Sequence, residues 1–433
     1  MKRITSFIFA LAFAGVHAQN SNTIFTSDID NFWNAYDQIK KTDDFSKKLN
    51  LINELYISKG TKGLKTFMEV REYSDTVFVR IIDEYPKFWN SIRPNTLKVK
   101  EKMGELNKSV ARLKEIYPQL KDAEMYFTVG GLNSGGTVSK NMVLVGTEIA
   151  TGTPDTDVSE FKGGWLKGVF ADQSLDNIVS LNIHEYIHTQ QNGRSKRILN
   201  HSIKEGSCDF ITELVMQKPL RTKYLSYGTA HADQLKALFK NDMFSTNSTN
   251  WLYNGRKRPD AADLGYYIGY EICKSYYQNA KDKKQAIKDI IELNYNDDNA
   301  VEDFLARSKF FKEKINKEKL LKEYEKNLLY VVKTNPAVGS EAVSPDTKEI
   351  KITFSKEIVP DHYSIETSAK GKESFPLAKV IGLENNNTTL VLGMDLQPNK
   401  TYEFVLSNKK FESKDGYPLK DEKFLVTFKT SEK

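Results

Sequence analysis

Residues 174–214 read SLDNIVSLNIHEYIHTQQNGRSKRILNHSIKEGSCDFITEL, and inside them stands His184-Glu185-Tyr186-Ile187-His188, the pattern H-E-x-x-H. Ser174 is suited to cap a helix on which Leu175, Ile178, Val179, Ile183 and Ile187 form the apolar positions. Residues four apart on a helix are neighbours, so both imidazoles can reach one ion, and Glu185, turned by about 100°, stands beside it. A zinc ion there lowers the pKa of its bound water and polarises a carbonyl, with Glu185 placed to take the proton. With six histidines in 433 residues, chance predicts only about 0.005 such motifs. Zinc held by two imidazoles needs a third protein ligand, and Glu205 is the candidate, after a turn through Asn192-Gly193-Arg194 into a second helix. Asp209, four residues further on, can accept the free N–H of a zinc-bound imidazole, that of His184. Gly206 and Ser207 are small enough for two helices to approach closely. Glu213 is a rival third ligand that needs a longer reach. His201 would close the site if it joined the other three.

The pattern changes on both sides of this stretch. From Asp28 to about Pro118 the apolar spacing is helical, as in Phe32, Trp33, Tyr36 and Ile39. Gly60 and Gly63 punctuate that region, and Pro86 and Pro94 are expected to break it. Tyr126, Phe127 and Val129 read as a strand, Gly130 to Gly136 as a glycine-rich turn, and Met142 to Val145 as another strand. Helical patterns return from Leu175 to about Tyr330 and end in the charge-rich stretch Lys309 to Lys326, with one apolar stripe expected. After Lys333 the apolar residues alternate, as in Ile350, Ile352 and Phe354, with Pro, Gly and Asn clusters between the runs. These are strands of a sandwich.

Composition bounds the function. A net charge of +6 spread over 63 Lys+Arg and 57 Asp+Glu argues against a nucleic-acid partner, because a basic face is needed to neutralise phosphates. Lys2 and Arg3 before the apolar run Phe7 to Val16 read as a signal peptide over residues 1–18. No cysteine stands at that cleavage point, so a secreted, periplasmic or cell-surface protein is expected, with no integral membrane segment after cleavage. Cys208 and Cys273 are either a pair or two buried thiols.

The HExxH pattern followed by Glu205-x-x-x-Asp209 resembles the gluzincin metallopeptidases. The segment from Tyr126 to Gly269 is similar to predicted zinc-dependent proteases of unassigned specificity. The resemblance implies His184, His188 and Glu205 as ligands of one Zn2+, Glu185 as general base and Asp209 as supporting carboxylate. It also implies a peptide or protein substrate laid along an edge strand between Gly136 and Gly146. The aminopeptidase branch has a Gly-x-Met-Glu-Asn motif where this chain has residues 129–137, VGGLNSGGT, so an endopeptidase is implied. Tyr266 and Tyr267 are the candidate donors to the oxyanion, with His231 as an alternative, and Arg256 and Arg258 could hold a substrate carboxylate. Thr334-Asn335-Pro336, the run Leu396 to Tyr402 and the end Val426 to Thr430 resemble bacterial Ig-like domains, in which Tyr402 would form a tyrosine corner. Such a domain can bind a surface or partner protein.

The expected fold is therefore multidomain: a mainly α-helical, α+β zincin-like metallopeptidase domain with a small sheet, followed by an all-β Ig-like sandwich. The divisions are 1–18, 19–120 (helical), 121–332 (catalytic) and 333–433 (sandwich). The leading expectation is a secreted zinc metallopeptidase. The second is an exported adhesin or envelope-binding scaffold whose metal site is structural or vestigial.

Overall fold

A computed structural model describes residues 23–171, 173–255 and 261–433. The expected signal peptide, Arg256 and Arg258 lie outside the described residues. The chain forms two compact units, one built from residues up to Gly104 with Lys121–Lys162 and Gln173–Ile178, the other from Glu105–Leu120, Gly163–Asp172 and Val179–Lys433.

In the first unit, helices Ser27–Ile39, Phe45–Ile52, Lys62–Arg71, Asp75–Glu84 and Pro86–Lys98 accompany a four-stranded sheet. The side-chain oxygens of Thr61 and Ser74 accept from Leu64 N and Val77 N, satisfying amides at two helix starts. Phe32, Trp33, Tyr56 and Trp89 pack as a buried aromatic cluster, with Phe32 and Trp89 ring centres 5.0 Å apart. Pro86 interrupts the helical run as expected, one helix ending at Glu84 and the next starting at Pro86, but Pro94 does not. Pro86 occupies the first turn of its helix, where an amide would be unpaired anyway, and Pro94 sits within it. The helix survives Pro94 because buried Trp89, Ile92 and Thr96 hold both halves to the core, where Trp33 Nε1 donates to Thr96 Oγ1 at 2.9 Å.

The sheet runs in the spatial order Ile24–Phe25, Glu124–Thr128, Met142–Gly146, Gly136–Ser139. Its first three strands are parallel and the last pairs antiparallel, at the edge. Gly63 allows Tyr126 close approach, since a Cβ there would lie 1.9 Å from the ring. Glu148, fully buried, closes the glycine-rich turn by accepting from Gly130 N at 2.8 Å and Leu132 N at 3.3 Å. Burial pushes its carboxyl up to about 7 despite those two bonds.

The second unit carries the helices Ile178–His188, Ile198–Met216 and Leu264–Asn279. The last two cross in near-backbone contact: a Cβ on Gly269 would lie 1.7 Å from Ser202 O, and one on Gly206 2.0 Å from Tyr270 N. The stripe expected over Lys309–Lys326 is not one helix. Lys309, at φ +57°, ends the helix Asp298–Ser308, Phe310 and Phe311 lie in the following loop beneath the Lys236 ammonium, and a new helix spans Lys317–Asn327.

The C-terminal region is a sandwich of two four-stranded sheets. In Glu349–Phe354 the alternation puts Ile350, Ile352 and Phe354 inside, against Leu390, Leu392, Phe404 and Val426. Tyr402 does form the corner, its hydroxyl accepting from Gln397 N at 2.7 Å. The sandwich meets the helices through residues 412–417. Asn247 donates to Gly416 O at 2.6 Å and Asn250 to Asp415 O at 3.0 Å. Asp242 accepts from both Trp251 Nε1 (2.9 Å) and Tyr417 OH (3.2 Å).

Candidate metal centre

Ser174 Oγ accepts from Asp176 N and starts a short 3₁₀ turn that leads into the helix Ile178–His188. Ile178, Val179, Ile183 and Ile187 are buried, which fixes the opposite side of this helix toward the cluster. The chain reverses at Gly193, whose φ of +86° and closeness to Asn296 suit only glycine. The helix Ile198–Met216 then brings Glu205 and Asp209 back beside the histidines.

Glu205 Oε2 lies 3.0 Å from His188 Nε2 and 3.6 Å from His184 Nε2. A tetrahedral zinc with arms of about 2.1 Å has ligand–ligand edges of about 3.4 Å, so both separations suit Glu205 Oε2 sharing an ion with each imidazole. The remaining ring nitrogens face outward to fixed partners. Asp209 Oδ1 is 2.8 Å from His184 Nδ1, and Gln191 Oε1 is 2.7 Å from His188 Nδ1. Both acceptors keep the proton on Nδ1 and leave the Nε2 lone pairs turned inward. Gln191 is itself held, donating to Lys204 O at 2.9 Å and Ser207 Oγ at 2.8 Å. Asp209 takes a second bond from Tyr224 OH at 2.8 Å.

Ionisation follows from these contacts. Burial opposes charge on His184, but the Asp209 and Glu205 carboxylates hold its pKa well above the ordinary imidazole value. Burial likewise opposes charge on Glu205, and the two imidazoles overcome it, keeping that carboxyl well below the usual range.

Of the other expected residues, Tyr266 stacks on His184 with ring centres 6.2 Å apart, and Glu185 is half-buried. Tyr267 is not brought to the cluster. Its ring is buried against Gly228, where a Cβ would lie 2.2 Å from Cγ. His231 stacks on Tyr227, and Glu213 accepts from Tyr270 OH at 2.7 Å and Leu220 N at 3.1 Å. Cys208 and Cys273 are both free and buried. Cys208 lies closer to the histidines than its helical rotation suggests: donor atoms of His184, His188 and Cys208 fall within 4.8 Å of one another. Its sulfur, however, is 3.4 Å from His188 Nδ1, the nitrogen that already faces Gln191, and burial raises the thiol pKa strongly. The Glu205 side is therefore the better ligand set.

Three members of the cluster were not foreseen: Gln191, Tyr224 and Tyr253. Gln191 could have been found three residues past His188. Tyr224 and Tyr253 carry no local signal. Tyr253 OH lies 3.2 Å from Glu205 Oε1 and 3.0 Å from His201 Nε2, which is itself 3.7 Å from Glu205 Oε1.

Comparison with known proteins gives two family matches. A family described as a bacterial Ig-like domain matches residues 325–430. One described as gliding motility protein GldB matches residues 17–311, more than half the chain. No curated protein matches. Among solved structures, a crystal structure of the surface-layer protein rSbsC is 11% identical with a TM-score of 0.19, covering 94% of this chain and 46% of that one. The N-terminal part of SbsC is 12% identical with a TM-score of 0.17, covering 94% and 77%. Likeness this slight carries no argument about fold, and the chain spans less than half of the first structure.

The GldB match corrects the peptidase expectation. Residues 17–311 contain the whole HExxH segment, and they belong to a motility family rather than to an enzyme family. The match overturns the gluzincin assignment and the hydrolase activity, and neither the zincin-like fold nor the peptide substrate finds support. The coarser description stands: a helical N-terminal part followed by an all-β Ig-like region. Among the described residues no helix is long and apolar enough to cross a membrane. Because the family is one of lipoproteins, the location is the cell envelope, and the expectation of export without a lipid anchor loses its ground. The chain belongs to the gliding motility protein GldB family.

Proposed function

We propose that this protein is a non-enzymatic scaffold of the cell envelope acting in surface motility. In this reading His184, His188 and Glu205 clamp one divalent ion, zinc by its donor set, and the ion ties two helices together. The Ig-like domain presents a surface to a partner protein.

The observation that carries the reading is the span of the GldB match, residues 17–311, which takes in the whole cluster. Within it Glu205 Oε2 faces two imidazoles while Tyr253 and His201 brace Oε1, so one side chain ties together the two helices and a loop. The spans of the GldB and Ig-like matches support the same reading, since they join a motility family to a binding module.

The test is complementation of a deletion strain of the native host. Glu185→Gln should restore surface movement and keep zinc in the purified protein. The double variant His184→Ala/His188→Ala should lose zinc and fail to restore movement. Failure of Glu185→Gln, with zinc retained, would mean that the acid does chemistry and that the scaffold reading is wrong.

A further inference from the structure

Building on the metal clamp proposed above, we infer that Tyr253 is a positioning residue that makes Glu205 a one-oxygen ligand and so sets which ion the clamp accepts. Tyr253 comes from a loop well outside the two ligand-bearing helices. Its backbone is held in the left-handed region at φ +56°. Two contacts brace it there. Tyr253 N donates to Asp263 Oδ1 at 2.5 Å, and the Asn254 side chain bridges Thr249 O at 3.0 Å and Asp263 N at 2.8 Å. The phenol is thereby carried to Glu205.

The Tyr253 hydroxyl has one proton to give, and Glu205 Oε1 at 3.2 Å is the charged acceptor in reach. His201 Nε2, at 3.0 Å, supplies the complementary bond by donating to the phenol oxygen. The ring of Tyr253 lies edge-on to that of His201, with centres 5.3 Å apart. This chain from His201 through Tyr253 occupies Oε1 and leaves Oε2 directed at His184 and His188. A carboxylate limited to one oxygen suits a small tetrahedral ion. Two free oxygens suit a larger ion such as Ca2+, which takes six to eight oxygen ligands.

The experiment titrates metal-free full-length wild type and Tyr253→Phe with Zn2+ alone, against a competing chelator. Because Tyr253 is 63% exposed, removing its hydroxyl leaves the core intact, and the metal-free melting temperature should not move. Zinc affinity should fall about 10- to 100-fold, the usual cost of losing a partner that orients a ligand. With Co2+ as a second probe, the visible spectrum should change from strong tetrahedral bands to the weaker bands of a higher coordination number. A purely structural tyrosine would not produce that change. Equal zinc affinity and an unchanged Co2+ spectrum in the two proteins would overturn this inference and leave the clamp standing. If wild type takes up no zinc, the clamp and this inference fall together.

Discussion

Two of the buried glutamates, Glu205 and Glu148, ionise in opposite directions. Glu205 is 7% exposed and faces two imidazoles, which hold its pKa well below the ordinary value. Glu148 is 0% exposed, meets only backbone amides, and is pushed up to about 7. Depth of burial is therefore not what separates them. A neutral amide stabilises a carboxylate less than burial costs it, whereas ionisable neighbours reverse the balance. Glu205 belongs to a cluster arranged for charge, and Glu148 to a turn that tolerates none easily.

The contrast can be broken most forcefully at Gly206. A Cβ there would meet Tyr270 N at 2.0 Å, and backbone cannot step aside as a side chain can. Gly206→Ala should cost at least ~3 kcal/mol in chemical denaturation and spread the helix that carries Glu205, whereas Glu148 lies in the other unit.

Glu148 itself gives the next effect. An acid whose folded pKa is raised binds its proton more tightly in the native state, so its contribution to stability is full below about 4.5 and is lost as pH rises toward about 7. That interval corresponds to about 3 kcal/mol by the usual conversion. Denaturation followed from pH 5 to pH 8 should show the decline in wild type. Glu148→Gln should remove the part of the decline below about pH 6.5, above which His184 also contributes.

Asp209→Asn should have the smallest effect of the three. The amide oxygen can still accept from His184 Nδ1, but the negative charge is gone. Zinc affinity is expected to fall about 10-fold, measured by competition with a chelator, while the pH dependence due to Glu148 stays as it was.

The helix-borne part of the cluster was legible because helical spacing is a local property. His184 and His188, four apart, share a face whatever surrounds them, and Glu205 with Asp209 repeat that spacing. The structure does bring these four side chains together. Gly206 was readable as a small residue, although its actual partner, Tyr270 N, was not. What escaped depends on where separate segments meet. Tyr224 arrives from another helix and Tyr253 from a loop, and neither has a periodic neighbour to announce it. Tyr267 was misplaced for the complementary reason: one residue along a helix from Tyr266 is a rotation of about 100°, enough to send it toward Gly228 instead of His184. In the sandwich, alternation of period two made the strands and the Tyr402 corner readable. Pro94 misled because packing by Trp89, Ile92 and Thr96 outweighs the one helix bond that it removes.

Asp242 has a mechanical consequence. One of its oxygens is gripped by Tyr417 from the sandwich and the other by Trp251, two residues ahead of Tyr253. A pull on the C-terminal domain is thus shared between Asp242, Asn247 and Asn250, and it runs from there along the short loop leading to Tyr253. Strain at that joint would thereby be handed to the side chain that braces Glu205.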